Sequence, residues 1–282
     1  MQRLSKSAWT GFEISISFSF LPFKLQVFKC ISKTAFFVRR LFQTLESQMK
    51  SKAAPDLAHQ IKQFNRNLNL GIPLPAGVSV LNPFKNDERV FEWSDSFYNR
   101  FYADNNKRKL ILGINPGRLG AGQTGIPFTD TKRLYECLGI GSSDNLIHES
   151  SSAFIYRMIE SYGGADLFYQ RFLISSICPL GFVMEKKGGL INFNYYDSPA
   201  LQLAVTPFIE KCMETQLLWP ICRDEVFCLG TGKNKAFLEG LNEKHGWFKR
   251  VVSLEHPRFI MQYKSRFVDA YIEKYIEALT AI

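Results

Sequence analysis

The sequence predicts a three-layer α/β/α domain built on a central four-stranded parallel sheet. Three observations point to it. Four short, continuous apolar runs recur along the chain: KLILGI at 109–114, FLISSI at 172–177, EVFCLG at 225–230 and RVVSLE at 250–255. Runs of that length, without polar alternation, mark strands buried on both faces. Segments of helical spacing separate them, and an unusual loop follows each run.

The elements follow in order. Residues 1–48 are rich in Ser and Phe, with little turn chemistry or periodicity, and read as a mis-called or weakly ordered basic extension. At Met49 the chain reads like a natural start, a basic tip and then an amphipathic helix from Asp56, so a single domain is expected over 49–282. A linker, GIPLPAGVSVLNPF, leads to the next helix. Helical segments then run over TDTKRLYECL, SSSAFIYRMIESY, SPALQLAVTPFIEKCMETQLL and NKAFLEGLNEKHG. SRFVDAYIEKYIEALTAI closes the chain, with an apolar face at Phe267, Tyr271 and Tyr275. There is no internal repeat.

Composition narrows the class. The 282 residues are 46% hydrophobic, enough for one domain with a proper core. Net charge is +9, but +6 of it falls in residues 1–50, so the rest is only mildly basic. Charge alone does not single out nucleic acid. The six cysteines, Cys30, Cys137, Cys178, Cys212, Cys222 and Cys228, form no CxxC pair, which argues against a zinc or iron–sulfur site. Most read as buried free thiols and point to a cytoplasmic compartment. The longest apolar stretch, ISISFSFLPFKLQVF, is interrupted by Lys24 and is too short for a membrane helix.

In open α/β sheets ligands bind beyond the carboxyl ends of the strands. The loops there are NPGRLGAGQTGIPF, CPLGF, TGKN and HPRFIMQY. LGTGKNK is not a P-loop, because Phe227 stands where the first glycine is needed and Asn234 where the hydroxyl is needed. His59, His148 and His245 show no metal-ligand spacing and read as helix-face or surface side chains. The stretch 113–128 holds five glycines and two prolines, which let backbone approach a ligand closely and stiffen the loop. Asn115, at the strand end, can hold a water. Phe128 offers a face for stacking a planar base. His256, at the last strand's end, can donate into the same pocket, although a plain loop cap is an equal reading of it. Together these suit an extracted nucleobase.

GINPGRLGAGQTGIPF also resembles the first motif of the uracil-DNA glycosylase superfamily, in the form found in its single-strand-selective monofunctional branch. HPRF at 256–259 is similar to the second motif, and CPL at 178–180 to the central strand end. The resemblance spans roughly residues 105–280. It implies a uracil-DNA glycosylase-like fold and a monofunctional glycosylase that acts on DNA carrying uracil, or another deaminated base such as xanthine. It implies no cofactor and no metal, and a monomer is expected. Asn115 would position water and His256 would stabilise charge on the leaving base. Gly113, Ile114, Gly117, Leu119, Gly120, Phe128 and Ser176 would surround that base. Gly230, Thr231, Gly232, Lys233 and Asn234 would hold phosphate at a helix start, with Lys264 and Arg266 nearby. The loop over 258–263 would enter the minor groove, with Arg258, Phe259 and Ile260 as wedge residues beside Pro257.

One residue departs from the branch. Ser176 stands two positions before CPL, where the branch has an asparagine that reads the base edge. A hydroxyl is shorter and rotates, so the sequence fits a distinct subfamily similar to the branch's bacterial second group. Ser175 should point to the opposite face. Two other readings compete: a non-catalytic reader of damaged or single-stranded DNA on the same fold, and a hydrolase of free nucleosides.

Overall fold

The computed structural model describes residues 55–85 and 87–281; the expected extension over 1–48 and the start at Met49 lie outside the described residues. The chain forms α1 (Leu57–Arg66), β1 (Val78–Leu81), α2 (Glu88–Tyr102) and β2 (Arg108–Gly113). Next come α3 (Ala121–Thr124), α4 (Thr131–Leu138), α5 (Ser150–Tyr162), α6 (Ala165–Arg171) and β3 (Phe172–Ser176). The hairpin β4 (Gly181–Lys186) and β5 (Gly189–Phe193) precedes α7 (Pro199–Gln216), β6 (Ile221–Leu229) and α8 (Lys233–His245). The chain ends with β7 (Arg250–Leu254), α9 (Pro257–Tyr263), a 3₁₀ turn (Ser265–Phe267) and α10 (Val268–Thr280).

The four apolar runs make one parallel sheet in the order β3-β2-β6-β7. The central strand β2 is buried along nearly its whole length, which is why its sequence lacks alternation. The helices start where the local chemistry stops the backbone N–H groups from being orphaned. Asp56, Asp87, Asp130, Glu149 and Ser198 each accept a hydrogen bond from the first turn of α1, α2, α4, α5 and α7.

Sequence reasoning missed three features. A second, antiparallel sheet, β1-β4-β5, forms from the supposed linker and from GFVMEKKGGLINF. Residues 257–263, expected as a loop, are a helix. At the start of β2, Arg108 is fully buried. Its five N–H groups are all matched, by the carbonyls of Phe101, Asn106 and Tyr169 and by both oxygens of Asp104. Aromatic rings of α2 and α6 close over it, with Tyr102 in cation–π contact at 4.9 Å.

Candidate active site

A cavity of about 360 Å³ opens at the carboxyl ends of the parallel strands. Its wall includes Ile114, Asn115, Gly117 and Gly120 from the loop after β2, Ser176 from the end of β3, and His256 and Arg258 after β7. Three loops far apart in sequence thus meet where the sheet topology places them.

The first loop is tied down at both ends. Asn115 Oδ1 accepts the Tyr195 N–H at 3.2 Å, and its Nδ2 donates to the Pro116 carbonyl at 3.3 Å. Those contacts fix which end of the amide is oxygen and leave that oxygen a second lone pair. Farther along, the buried Thr124 hydroxyl donates to the Thr129 carbonyl at 2.6 Å and accepts the Ile126 N–H. Phe128 between them takes φ +52, a backbone region that a bulky side chain enters only when its surroundings impose it. Gly113 explains the ring's position: a Cβ there would lie 2.7 Å from Phe128 Cε2. Gly113 therefore stands behind the stacking ring and not on the cavity wall.

The rings of Phe128 and His256 are neighbours on the cavity wall, with centroids 5.7 Å apart at 46°. His256 caps α9 by accepting the Arg258 N–H on Nδ1 at 3.1 Å. Burial lowers its pKa to about 4, with the Arg258 charge adding to the effect. The neutral ring must then carry its proton on Nε2, a donor.

Some expected residues fall elsewhere. Leu119 is exposed and lies outside the cavity wall. Ile260 is fully buried in the core and cannot act as a wedge, and Pro257, expected next to the wedge, is buried as well. On α9 the exposed aromatics are Phe259 and Tyr263, with ring centroids 5.6 Å apart. Gly230, Thr231, Gly232 and Lys233 line an adjoining cleft at the start of α8, together with His256 and Phe259. Asn234 lines the same cleft, but its side chain is buried, donates to the Leu229 carbonyl and accepts the Tyr195 hydroxyl at 2.8 Å. Ser175 turns from the cavity and donates to Gln216 at 2.6 Å. His59 and His148 are exposed, and His245 bonds Glu210 and stacks on Trp247.

Sequence reasoning did not find Glu149, Ser151, Asn192, Asn194 and Tyr196 on the cavity wall. Asn192 accepts the Arg118 N–H at 2.9 Å and so braces the first loop against the hairpin. Tyr195, fully buried, links Asn115 through its backbone to Asn234 through its hydroxyl. Its signal in the sequence is the Tyr195–Tyr196 pair shortly after a hairpin that was itself missed.

Residues 100–280 match the model of the uracil DNA glycosylase superfamily. The chain belongs to that superfamily. Within this family the chain is similar to the single-strand selective monofunctional uracil-DNA glycosylase of Rattus norvegicus, 26% identical over 191 residues, covering 62% of this chain and 67% of the rat protein. The Mus musculus protein of that name is 25% identical, and the match spans 53% of this chain and 58% of the mouse protein. SMUG2 of Pedobacter heparinus has a crystal structure that superposes with a TM-score of 0.77 at 51% identity, covering 79% of this chain and 96% of that one. The protein is thus a SMUG-like enzyme of the uracil-DNA glycosylase family.

Proposed function

We propose that the protein is a monofunctional DNA glycosylase that draws uracil, and xanthine as a second deaminated base, out of DNA into this cavity and hydrolyses the N-glycosidic bond. It would act in base excision repair. The observation that carries this reading is the pairing of two fixed groups across one cavity: the Asn115 amide, braced by Tyr195, and His256, held with Nε2–H as donor.

Breaking the bond builds positive charge on the sugar and negative charge on the base. A donor already aimed at a base carbonyl stabilises that charge without reorganising. His256 supplies it as a neutral imidazole. Phe128 stacks on the base and Asn115 orients a water toward C1′. An amide cannot fully deprotonate that water, so bond breaking leads and water attack follows. A lyase would need an amine nucleophile, and among the described residues no lysine lines the cavity. Phosphates would rest on the N–H groups of Gly230, Thr231 and Gly232 with Lys233 beside them.

The test is strand scission on labelled oligonucleotides carrying uracil, xanthine or hypoxanthine, with and without hot alkali. Scission only after alkali, at uracil or xanthine, supports the proposal. Scission without alkali overturns the monofunctional part, and release of no base overturns the whole. In the Asn115→Ala variant we expect base release to fall by about 10²–10³-fold while affinity for the damaged DNA stays near wild type.

A further inference from the structure

The residue that should read the base edge is a short serine, yet the cavity is not poor in polar groups. Glu149, at the start of α5, is fixed from both sides. Its N–H donates to the buried Asp130 at 2.6 Å. One carboxylate oxygen accepts the N–H and hydroxyl of Ser152 at 3.0 and 2.8 Å. The side chain lies on Gly120, where a Cβ would be 3.1 Å from that oxygen. A Cβ at this point of the first motif would crowd the carboxylate, which would have to give by a few tenths of an ångström. Its other oxygen makes no hydrogen bond among the described residues. Ser151 beside it is 4% exposed and Ser176 is 7% exposed. Neither hydroxyl has a partner among the described residues, and both line the cavity.

Both hydroxyls open onto the cavity and are not sealed in the core, since among the described residues Asn65 Nδ2 is the one buried side-chain polar atom left without a partner, so a molecule in the cavity can bond them. We infer that Glu149 and Ser151 join Ser176 to read the edge of the extruded base, and that the set selects bases presenting a ring N–H beside carbonyls. The inference rests on the cavity being a base pocket. A carboxylate accepts only, and the two hydroxyls can donate. That set matches the carbonyl, N–H, carbonyl edge shared by uracil and xanthine. Cytosine presents a bare ring nitrogen in place of the N–H, which a carboxylate repels. The discrimination lost with the missing asparagine is thereby restored from α5. The dipole at the start of that helix favours a negative side chain there.

The experiment measures single-turnover base release from uracil, xanthine, hypoxanthine and cytosine oligonucleotides. It compares wild type with Glu149→Gln and Ser151→Ala, alongside binding to an abasic product strand. Glu149→Gln keeps an oxygen to cap α5. It should slow release of uracil and xanthine by about 10-fold or more and narrow the preference over cytosine, with product binding unchanged. Ser151→Ala removes a hydroxyl that bonds nothing else among the described residues, so it should fold normally and slow the same two bases by about 5-fold. If both variants keep the wild-type ranking, or all bases and product binding weaken by one common factor, the inference fails while the glycosylase reading stands. If the wild type releases no base at all, the glycosylase reading itself fails and the inference with it.

Discussion

His256 joins two jobs in one ring. On Nδ1 it accepts the Arg258 N–H and so begins α9, which leaves Nε2 of this cavity-lining residue to carry the proton of the neutral ring. The first job requires the neutral form, because a protonated ring would lose the acceptor that begins α9, whereas Nε2 carries a proton in either form. Burial and the Arg258 charge hold its pKa at about 4, below the ordinary 6.5. The acid limb due to this group therefore belongs near that lower value. We expect single-turnover base release to hold steady from about pH 8 to about pH 5 and to fall below that. A limb near the ordinary histidine value would show that the ring is not held neutral. The same shift has a consequence for stability. As pH falls, the unfolded chain takes up this proton first, so the stability contribution is complete above the ordinary value and is lost as pH drops toward about 4. The melting temperature of a His256→Asn variant should lose less across that interval than that of the wild type.

Helix α9 is the element whose form the sequence concealed. Seven residues are too few for apolar periodicity to show, and PRFIMQY was read as a loop. The signal present was Pro257 at the first helical position, where its missing N–H does no harm. The helix changes which side chains can enter DNA. It buries Ile260 and turns out Phe259 and Tyr263, 42% and 66% exposed. An apolar wedge matters only where a stacked partner strand must be held apart. Replacing either aromatic with Ala should thus slow uracil release from duplex by about 10-fold and from a single strand by less than about 2-fold. Equal losses on both substrates would assign the pair to general binding. The hairpin β4–β5 was hidden for a different reason. Its strands show no regular in-and-out alternation, since β4 is buried at its start and exposed at its end. The Lys187–Gly188 turn, followed by a second glycine at positive φ, was its legible mark.

Across the whole molecule, what could be read from the sequence was what depends on runs of adjacent residues. The parallel sheet was legible because strands covered on both faces are continuous in sequence, and Asn115, Phe128 and His256 because they end those strands or close the loop after one. Glu149, Ser151 and Asn192 were not, because they reach the cavity from elements that carry no unusual motif and meet it only through packing. Charge behaves in the same way. The mild net excess says little, but the exposed Lys233, Arg258, Lys264 and Arg266 lie at the start of α8 or along and just after α9, the elements that flank the cavity. Phosphates held by such groups release counterions, so affinity should fall linearly in log salt. Lys233, exposed and 5.9 Å from the Tyr196 ring, makes no ion pair among the described residues. In Lys233→Ala we expect the salt slope to shrink by about 1 and affinity to weaken alike for uracil, xanthine and undamaged strands. Fluorescence anisotropy over a range of salt concentrations measures both. An unchanged slope would place the phosphate path elsewhere. A loss confined to one base would mean that Lys233 reads the base itself, a role this geometry gives to the cavity wall on α5 and β3.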